Sequence, residues 1–370
     1  MKKIDANLVN INDIDMRQLL GREEVVLDKY AISEFISNRI ILVTGGAGSI
    51  GSELCRQIAK FKPYKLIILD IYENTLYDLQ QELLRTYPTL NFEVTVASVR
   101  DKNRIERVFA KYKPQIVFHA AAHKHVPLMQ HSPWEAIKNN IFGTYNVAEI
   151  ANMHEVENFV LISTDKAVNP TNVMGATKRF CEMIIQCFQD LSNTTKYTAV
   201  RFGNVLGSNG SVVPLFIKQI ANGGPITLTH KDVVRYFMTI PEAAQLVLQS
   251  GAYAQSGEIF VLDMGKSVKI IDLAKNLIKL SGLKPYKDID IKEVGLRPGE
   301  KLYEELLMDD ELTSTKHEKI FVGKKQHFNI IDIKNHMYKL LVAAEEEDIN
   351  KLTIALKDAV PTYTGGLKND

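Results

Sequence analysis

Arg39-Ile40-Ile41-Leu42-Val43-Thr44-Gly45-Gly46-Ala47-Gly48-Ser49-Ile50-Gly51 runs from an unbroken apolar segment into glycines at 45, 48 and 51. A short apolar run ending at glycines suits a strand covered on both faces of a parallel sheet, and Ser49 to Phe61 has helical spacing. The glycines therefore sit at a strand-to-helix turn. There Gly45 permits the tight turn, Gly48 lets the backbone approach a pyrophosphate, and Gly51 allows close helix packing while N-terminal N–H groups face the anion. Thr44, Ser49 and Ile50 belong to the same expected cofactor-binding turn. Nineteen residues after Gly51, Asp70 closes a second apolar strand, Lys65-Leu66-Ile67-Ile68-Leu69-Asp70, where a ribose-binding acid is expected. No arginine follows in Ile71-Tyr72-Glu73 to neutralise a 2′-phosphate, so NAD is favoured over NADP.

Outward from this turn, strand and helix patterns alternate. The spacing predicts helices over 73–87, 102–112 and 133–154, and strands over 92–97, 116–120 and 159–163. Such a series builds a Rossmann-type doubly wound parallel sheet, an α/β fold. A helix over 174–191 and a strand over 198–202 come next, after which the rhythm loosens. Helices over 213–221, 241–250 and 270–281, with short strands at 226–228 and 258–262, read as a smaller α/β substrate-binding lobe. The expected organisation is a lead-in segment at 1–38 with a short helix over 14–20, an NAD-binding Rossmann domain at 39–205, the lobe at 206–325 interleaved with the end of the sheet, and C-terminal helices at 326–370. That last region reads as a helix pair, 332–347 and 348–360, joined by the solvated turn Glu345-Glu346-Glu347-Asp348.

Composition excludes several classes. Apolar residues at 45%, charged residues at 24% and a formal charge of +1 over 370 residues leave no global field to attract nucleic acid. Cys55, Cys181 and Cys187 show no CxxC spacing, which argues against a zinc site or disulfide framework and for a reducing compartment. No signal-peptide pattern and no run of eighteen apolar residues is present, so no membrane span and a cytoplasmic location are expected. His119, His123, His125 and His131 lack carboxylates or cysteines at ligand spacing. They are expected to line a cleft rather than hold a metal.

A second informative stretch is Ser163-Thr164-Asp165-Lys166, polar residues placed where the apolar run Phe159-Val160-Leu161-Ile162 ends and burial stops. Strand ends are where open parallel sheets keep their ligands. Met174 and Lys178 stand four residues apart and share a helix face. Asp101, after the third strand, is placed to meet an adenine amino group or to cap the adjoining helix.

The glycine spacing, the Ala120-Ala121-Ala122 run after a strand and a strand-end Thr164 with Lys178 fourteen residues later resemble the extended short-chain dehydrogenase/reductase family. Five blocks narrow the likeness: 119–129 (His-Ala-Ala-Ala-His-Lys-His-Val-Pro-Leu-Met), 163–170, 172–178, 200–208 and Arg297-Pro298-Gly299-Glu300-Lys301-Leu302. They resemble nucleotide-sugar 4,6-dehydratases, most nearly the UDP-N-acetylglucosamine 4,6-dehydratases that make precursors of bacillosamine-type or nonulosonic sugars. The resemblance implies NAD held also by Ala120, Ala121 and Ala122, oxidation of the hexose at C4, loss of water across C5 and C6, and hydride return to C6. It makes Asp165 the acid toward the C6 oxygen and Lys166 the base at C5, with Thr164 binding the C4 hydroxyl and Lys178 the nicotinamide ribose. For these roles burial should leave Lys166 partly neutral and Asp165 partly protonated, against their mutual attraction. Met174 replaces the family's tyrosine base, and a thioether cannot usefully accept the C4 proton. That proton falls to Lys178, Asp165 or water; methionine here also occurs in the dehydratase subgroup.

Contacts to the diphosphate and uridine are expected from Asn204, Lys218, Arg235, Arg297 and Glu300, the arginines because their forks bond two oxygens at once, and Lys124 in the histidine-rich loop is expected to face the nucleotide sugar. The 169–178 block resembles the C5-retaining enzymes. Many relatives carry an N-terminal membrane region, and this chain looks like a soluble, stand-alone form. The family associates through the helices at about 133–154 and 174–191, so a homo-oligomer, dimer or higher, is expected. Two other functions remain open: a nucleotide-sugar 4-epimerase, which needs no acid and base at C5 and C6, and a non-catalytic NAD-binding protein.

Overall fold

The structure is a computed structural model that describes residues 25–305 and 312–367. Its strands are β1 (Ile40–Thr44), β2 (Lys65–Asp70), β3 (Phe92–Val96), β4 (Ile116–His119), β5 (Asn158–Ile162), β6 (Lys196–Arg201), β7 (Asn204–Leu206), β8 (Ile226–Leu228), β9 (Val234–Thr239), β10 (Ile259–Leu262), β11 (Ser267–Lys269), β12 (Ile291–Glu293), β13 (Thr313–Ser314) and β14 (Ile320–Gly323). Among the described residues a nine-stranded sheet runs in the order β13-β14-β10-β6-β5-β4-β1-β2-β3. From β3 to β10 every neighbouring pair is parallel, and β14 and β13 add an antiparallel edge.

These segments are strands because of what they touch. Along β1, Leu42 packs into one core with the Lys102–Tyr112 and Val173–Leu191 helices, whereas Ile41 and Val43 pack into another with the Ser49–Ala59 and Glu73–Thr86 helices. A strand buried on both faces reads as a continuous apolar run, and this one does. Chain order reverses between β1 and β4, so their carboxyl ends frame a crevice. A third core, built around Phe216, Leu273 and Ile289, belongs to the smaller lobe with its β11-β9-β7 and β12-β8 sheets. β10 and β14, from the same stretch of chain, complete the main sheet.

Several elements differ from expectation. The spacing predicts one helix over 133–154; the chain forms Pro133–Ala136 and Gly143–Met153 as α-helix with a π-helical segment, Ile137–Phe142, between them. The expected lead-in contains a Lys29–Ile36 helix, capped by Asp28 and buried through Ile32 and Ile36. The helix expected over 14–20 lies outside the described residues. A Val126–His131 helix occupies the histidine-rich segment.

The C-terminal helices Ile330–Glu345 and Ile349–Ala359 form the expected pair and join the core that contains the 173–191 helix, with His336 edge-on to Phe180 at 6.4 Å. That helix is buried from Val173 to Phe188 except at Arg179. The chain's own C-terminal helices thus pack against the 173–191 helix. Among the described residues no helix is long and apolar enough to cross a membrane.

Candidate active site

The glycine turn closes against the turn after β4. Gly45 has φ +66°, and a Cβ added there would lie 2.5 Å from the Ala121 nitrogen and 2.6 Å from the Ala120 carbonyl carbon. Only a residue without Cβ lets these two turns touch. Gly51 is equally constrained, since its Cβ would strike the Gly45 oxygen. No side chain caps the Ser49–Ala59 helix, which leaves its first N–H groups for a ligand. Asp70 accepts from the Ala47 N–H (2.9 Å) and the Tyr72 N–H (3.0 Å), so it braces the turn from the end of β2. Asp101 is exposed and caps the 102–112 helix by accepting from the Arg104 N–H at 2.9 Å. Thr44 is buried and meets His119. This turn fits a dinucleotide diphosphate: an uncapped helix N-terminus beside a backbone cradle that any side chain would fill.

One consequence is measurable. Gly45→Ala pairs an unfavourable φ, about 1–2 kcal/mol, with a backbone collision. NAD affinity should fall more than about tenfold, read by calorimetric titration, with the far-UV circular dichroism spectrum retained. Unchanged affinity would remove this turn as the cofactor site.

The turn opens into a cleft of about 610 Å³. Of the expected residues, Gly45, Gly48, Ser49, Ile50, Gly51, Ala120, Ala122, Lys124, Thr164, Lys166, Met174, Lys178, Asn204, Arg235, Arg297 and Glu300 line it. Thr44, Asp70, Asp101, Ala121, Asp165 and Lys218 are not part of its lining, and Asp101 and Lys218 are exposed.

At the end of β5 the chain turns through Asp165–Ala167. The Thr164 hydroxyl donates to Asp165 Oδ1 at 2.8 Å, and Lys166 Nζ donates to the same oxygen at 3.0 Å and to Asn204 Oδ1 at 3.3 Å. Glu304 Oε1 is 3.5 Å from Lys166 Nζ. Burial pushes the Lys166 ammonium toward neutrality, but the carboxylates of Asp165 and Glu304 outweigh it and leave its pKa above the ordinary lysine value. The expected partly neutral lysine is therefore not what this arrangement holds: attraction defeats burial. The Asp165 side chain is 1% exposed, and its Oδ2 is buried without a hydrogen-bond partner among the described residues.

Lys178 is the opposite case. It is buried, lines the cleft and makes no hydrogen bond or ion pair among the described residues, and burial lowers its pKa. Met174 lies one turn earlier on the same wall. His119 is held between the hydroxyls of Thr44 (2.7 Å) and Thr144 (3.0 Å), and burial, helped by Lys178, pushes it down to about 3. It is a neutral core histidine. His123 and His125 do line the cleft, and no group of side chains suited to a metal is gathered among the described residues.

The loop 169–172 that joins the 3₁₀ turn to the 173–191 helix is clamped from two sides. Gly299 O accepts from Thr171 Oγ1 and Asn172 Nδ2, both at 3.3 Å, and Lys301 Nζ donates to Asn169 O at 3.1 Å. On the other side, the Thr364 N–H donates to Pro170 O at 3.0 Å, and Gly365 lies against the Thr171 carbonyl. Asn172 then caps the helix by accepting from the Gly175 N–H at 2.8 Å. Gly175 permits the helix to press on the Lys166 carbonyl, where a Cβ would collide.

A family described as polysaccharide biosynthesis protein matches residues 41–354. The chain belongs to that family. It is 58% identical over 321 residues to the capsular polysaccharide biosynthesis protein CapD of Staphylococcus aureus, covering 86% of this chain and 53% of CapD. The chain thus spans about half the length of that relative. At lower identity it is similar both to a UDP-N-acetylglucosamine 4,6-dehydratase (inverting) of Campylobacter jejuni, 34% with 73% and 78% covered, and to a UDP-glucose 4-epimerase of Rickettsia bellii, 35% with 75% and 80% covered. The solved structure of Pen from Bacillus thuringiensis superposes with a TM-score of 0.72 at 33% identity, over 79% of this chain and 93% of that one. The fold is that of the extended short-chain dehydrogenases/reductases.

Three residues at this site are not legible in the chain. Glu304 reaches Lys166 across 138 positions, a pairing that only the folded lobe creates. Asn140, in the π-helical segment, accepts from the His123 N–H (2.8 Å) and donates to His123 O and Thr177 Oγ1 (3.0 Å each), fastening the histidine loop to the helix that carries Lys178. π-helical insertions often mark functional sites. Glu182 is fully buried and accepts from Ser163 Oγ (2.6 Å), two nitrogens of Arg201 (2.6 Å each) and Arg179 (3.1 Å). Arg235, which lines the cleft, is also tied into its own lobe: its guanidinium donates to Val234 O, Leu302 O, Lys301 O and Glu300, and its Nε lies 3.4 Å from Glu304 Oε1.

Proposed function

We propose that this chain binds NAD at the glycine turn and dehydrates UDP-N-acetylglucosamine to UDP-2-acetamido-2,6-dideoxy-4-hexulose, for bacterial glycan synthesis. The observation that carries this reading is the hydrogen-bonded Thr164–Asp165–Lys166 cluster beside the cleft, a carboxyl and an amine joined by a 3.0 Å hydrogen bond. NAD, when bound, would take up the C4 hydride and return it to C6. A C4 ketone acidifies the C5 proton, after which one group removes that proton and another protonates the departing C6 hydroxyl.

Asp165 and Lys166 supply both functions. At rest the proton sits on Lys166. A substrate that displaces water raises the cost of two separate charges and favours passing that proton along the existing bond to Asp165. The pair then holds a neutral amine for C5 and a carboxylic acid for the C6 oxygen. Thr164 orients the C4 hydroxyl, and the unpaired Lys178 amine is available to the nicotinamide ribose. The location expected for this chemistry is the cytoplasm.

A 4-epimerase would return the hydride to C4 and have no use for an acid–base pair at C5 and C6. Incubating the purified chain with UDP-N-acetylglucosamine and NAD distinguishes them by mass spectrometry. The expected product is lighter by one water; a product of unchanged mass would favour epimerisation, and untouched substrate a binding role.

A further inference from the structure

We infer that Glu304 is a positioning residue for Lys166, and that its carboxylate couples the seating of the 297–305 segment to the place and charge of that amine. The inference rests on reading Lys166 as a reaction-side group. Its geometric basis is independent of which sugar is bound.

An ammonium has three N–H donors. Lys166 Nζ has three oxygens around it: Asp165 Oδ1 at 3.0 Å, Asn204 Oδ1 at 3.3 Å and Glu304 Oε1 at 3.5 Å. They come from three different parts of the fold, namely its own turn, β7 and the 297–305 segment. Two are carboxylates, and the charged group that opposes them is Arg235 on β9, whose Nε is 3.4 Å from the same Glu304 oxygen. Glu304 therefore stands between a cation that lines the reaction end of the cleft and a cation that staples the lobe. All three side chains are mostly buried, at 16% exposure for Lys166, 7% for Glu304 and 9% for Arg235, so solvent screens their interaction weakly.

The segment that carries Glu304 is also a cleft wall. Arg297 and Glu300 line the cleft, Gly299 and Lys301 fasten the segment to the 169–172 loop, and Arg235 grips the carbonyls of Lys301 and Leu302. A ligand that shifts this wall moves a negative charge relative to Lys166. Seating the wall holds the amine protonated and pointed at Asn204; drawing it away releases the amine toward the neutral form.

The test reads Lys166 directly, without substrate. Reductive methylation followed by peptide mass spectrometry gives the labelling rate of each lysine against pH, and the neutral amine is the reactive form. In Glu304→Gln, Lys166 should label about tenfold faster at a fixed pH below its midpoint, which corresponds to a midpoint lower by about one unit. Reference lysines should be unchanged, and Glu304→Asp should restore most of the slow labelling. A Lys166 pH profile identical in the wild type and Glu304→Gln would overturn the inference. So would equal acceleration at every lysine, which reports loosening alone. If Glu304→Gln fails to fold, Glu304→Leu, which likewise removes the charge, gives the same comparison against the wild type: a lower Lys166 midpoint supports the inference, and an unmoved one overturns it. A chain that shows the labelling shift but does not dehydrate UDP-N-acetylglucosamine would keep Glu304's role and remove the proposed substrate.

Discussion

Lys166→Ala should eliminate exchange of the substrate's C5 proton with solvent, by about 10²- to 10⁴-fold, while NAD still binds. The size reflects the loss of a proton acceptor. Lys166 is the cleft-lining amine bonded to both Asp165 and Asn204, and alanine leaves no such group in its place. NAD affinity should persist because the glycine turn and its brace at Asp70 lie on other strands. Proton NMR of UDP-N-acetylglucosamine incubated with NAD and the chain in deuterated water reports turnover, deuterium at C5 and C5 configuration together. Rapid C5 exchange in the mutant would withdraw Lys166 from the base role.

Glu182→Leu should destabilise the fold by about 3 kcal/mol, the lower part of the range for breaking a buried ion pair. The lower part applies because Arg201 and Arg179 keep 14% exposure each and regain some solvent. Burial alone would raise the Glu182 pKa; the charges of Arg201 and Arg179 and the Ser163 hydroxyl instead hold it at about 2, against an ordinary 4.5. A carboxylate depressed in the folded state contributes stability that is fully present above about 4.5 and lost as pH falls through about 2. Urea titrations at a series of acid pH values should therefore show the mutant's stability falling less steeply than the wild type's across that window. Parallel curves would mean that Glu182 is not charged in the native state.

The main sheet was readable because its parallel strands are buried on both faces. β1, β2, β4 and β5 appear in the chain as bare apolar runs, and their expected and observed ends agree within a residue. β9, β11, β12 and β13 have exposed or half-exposed positions and β11 to β13 span only two or three residues, too short for a period to declare itself. The π-helical segment was hidden for another reason: it alters hydrogen bonding inside a helix and leaves the apolar spacing almost intact. Thr164, Lys166, Met174 and Lys178 were readable because they share one strand end and one helix face. Lys218 lies outside the cleft lining, a placement that periodicity indicates, since Val213, Phe216, Ile217 and Ile220 define the buried side of its helix and Lys218 is exposed. Glu304 could not be found this way, because its meaning is a distance and not a pattern.

The double clamp on residues 169–172 makes that loop a beam fixed at both edges. One fixture, Gly299 and Lys301, lies within the stretch that matches the family; the other, Thr364 and Gly365, lies beyond residue 354. A load on either fixture passes through Asn172 into the first turn of the helix that bears Met174 and Lys178. Stiffness at the reaction end of the cleft is therefore borne partly by residues beyond the stretch that matches the family.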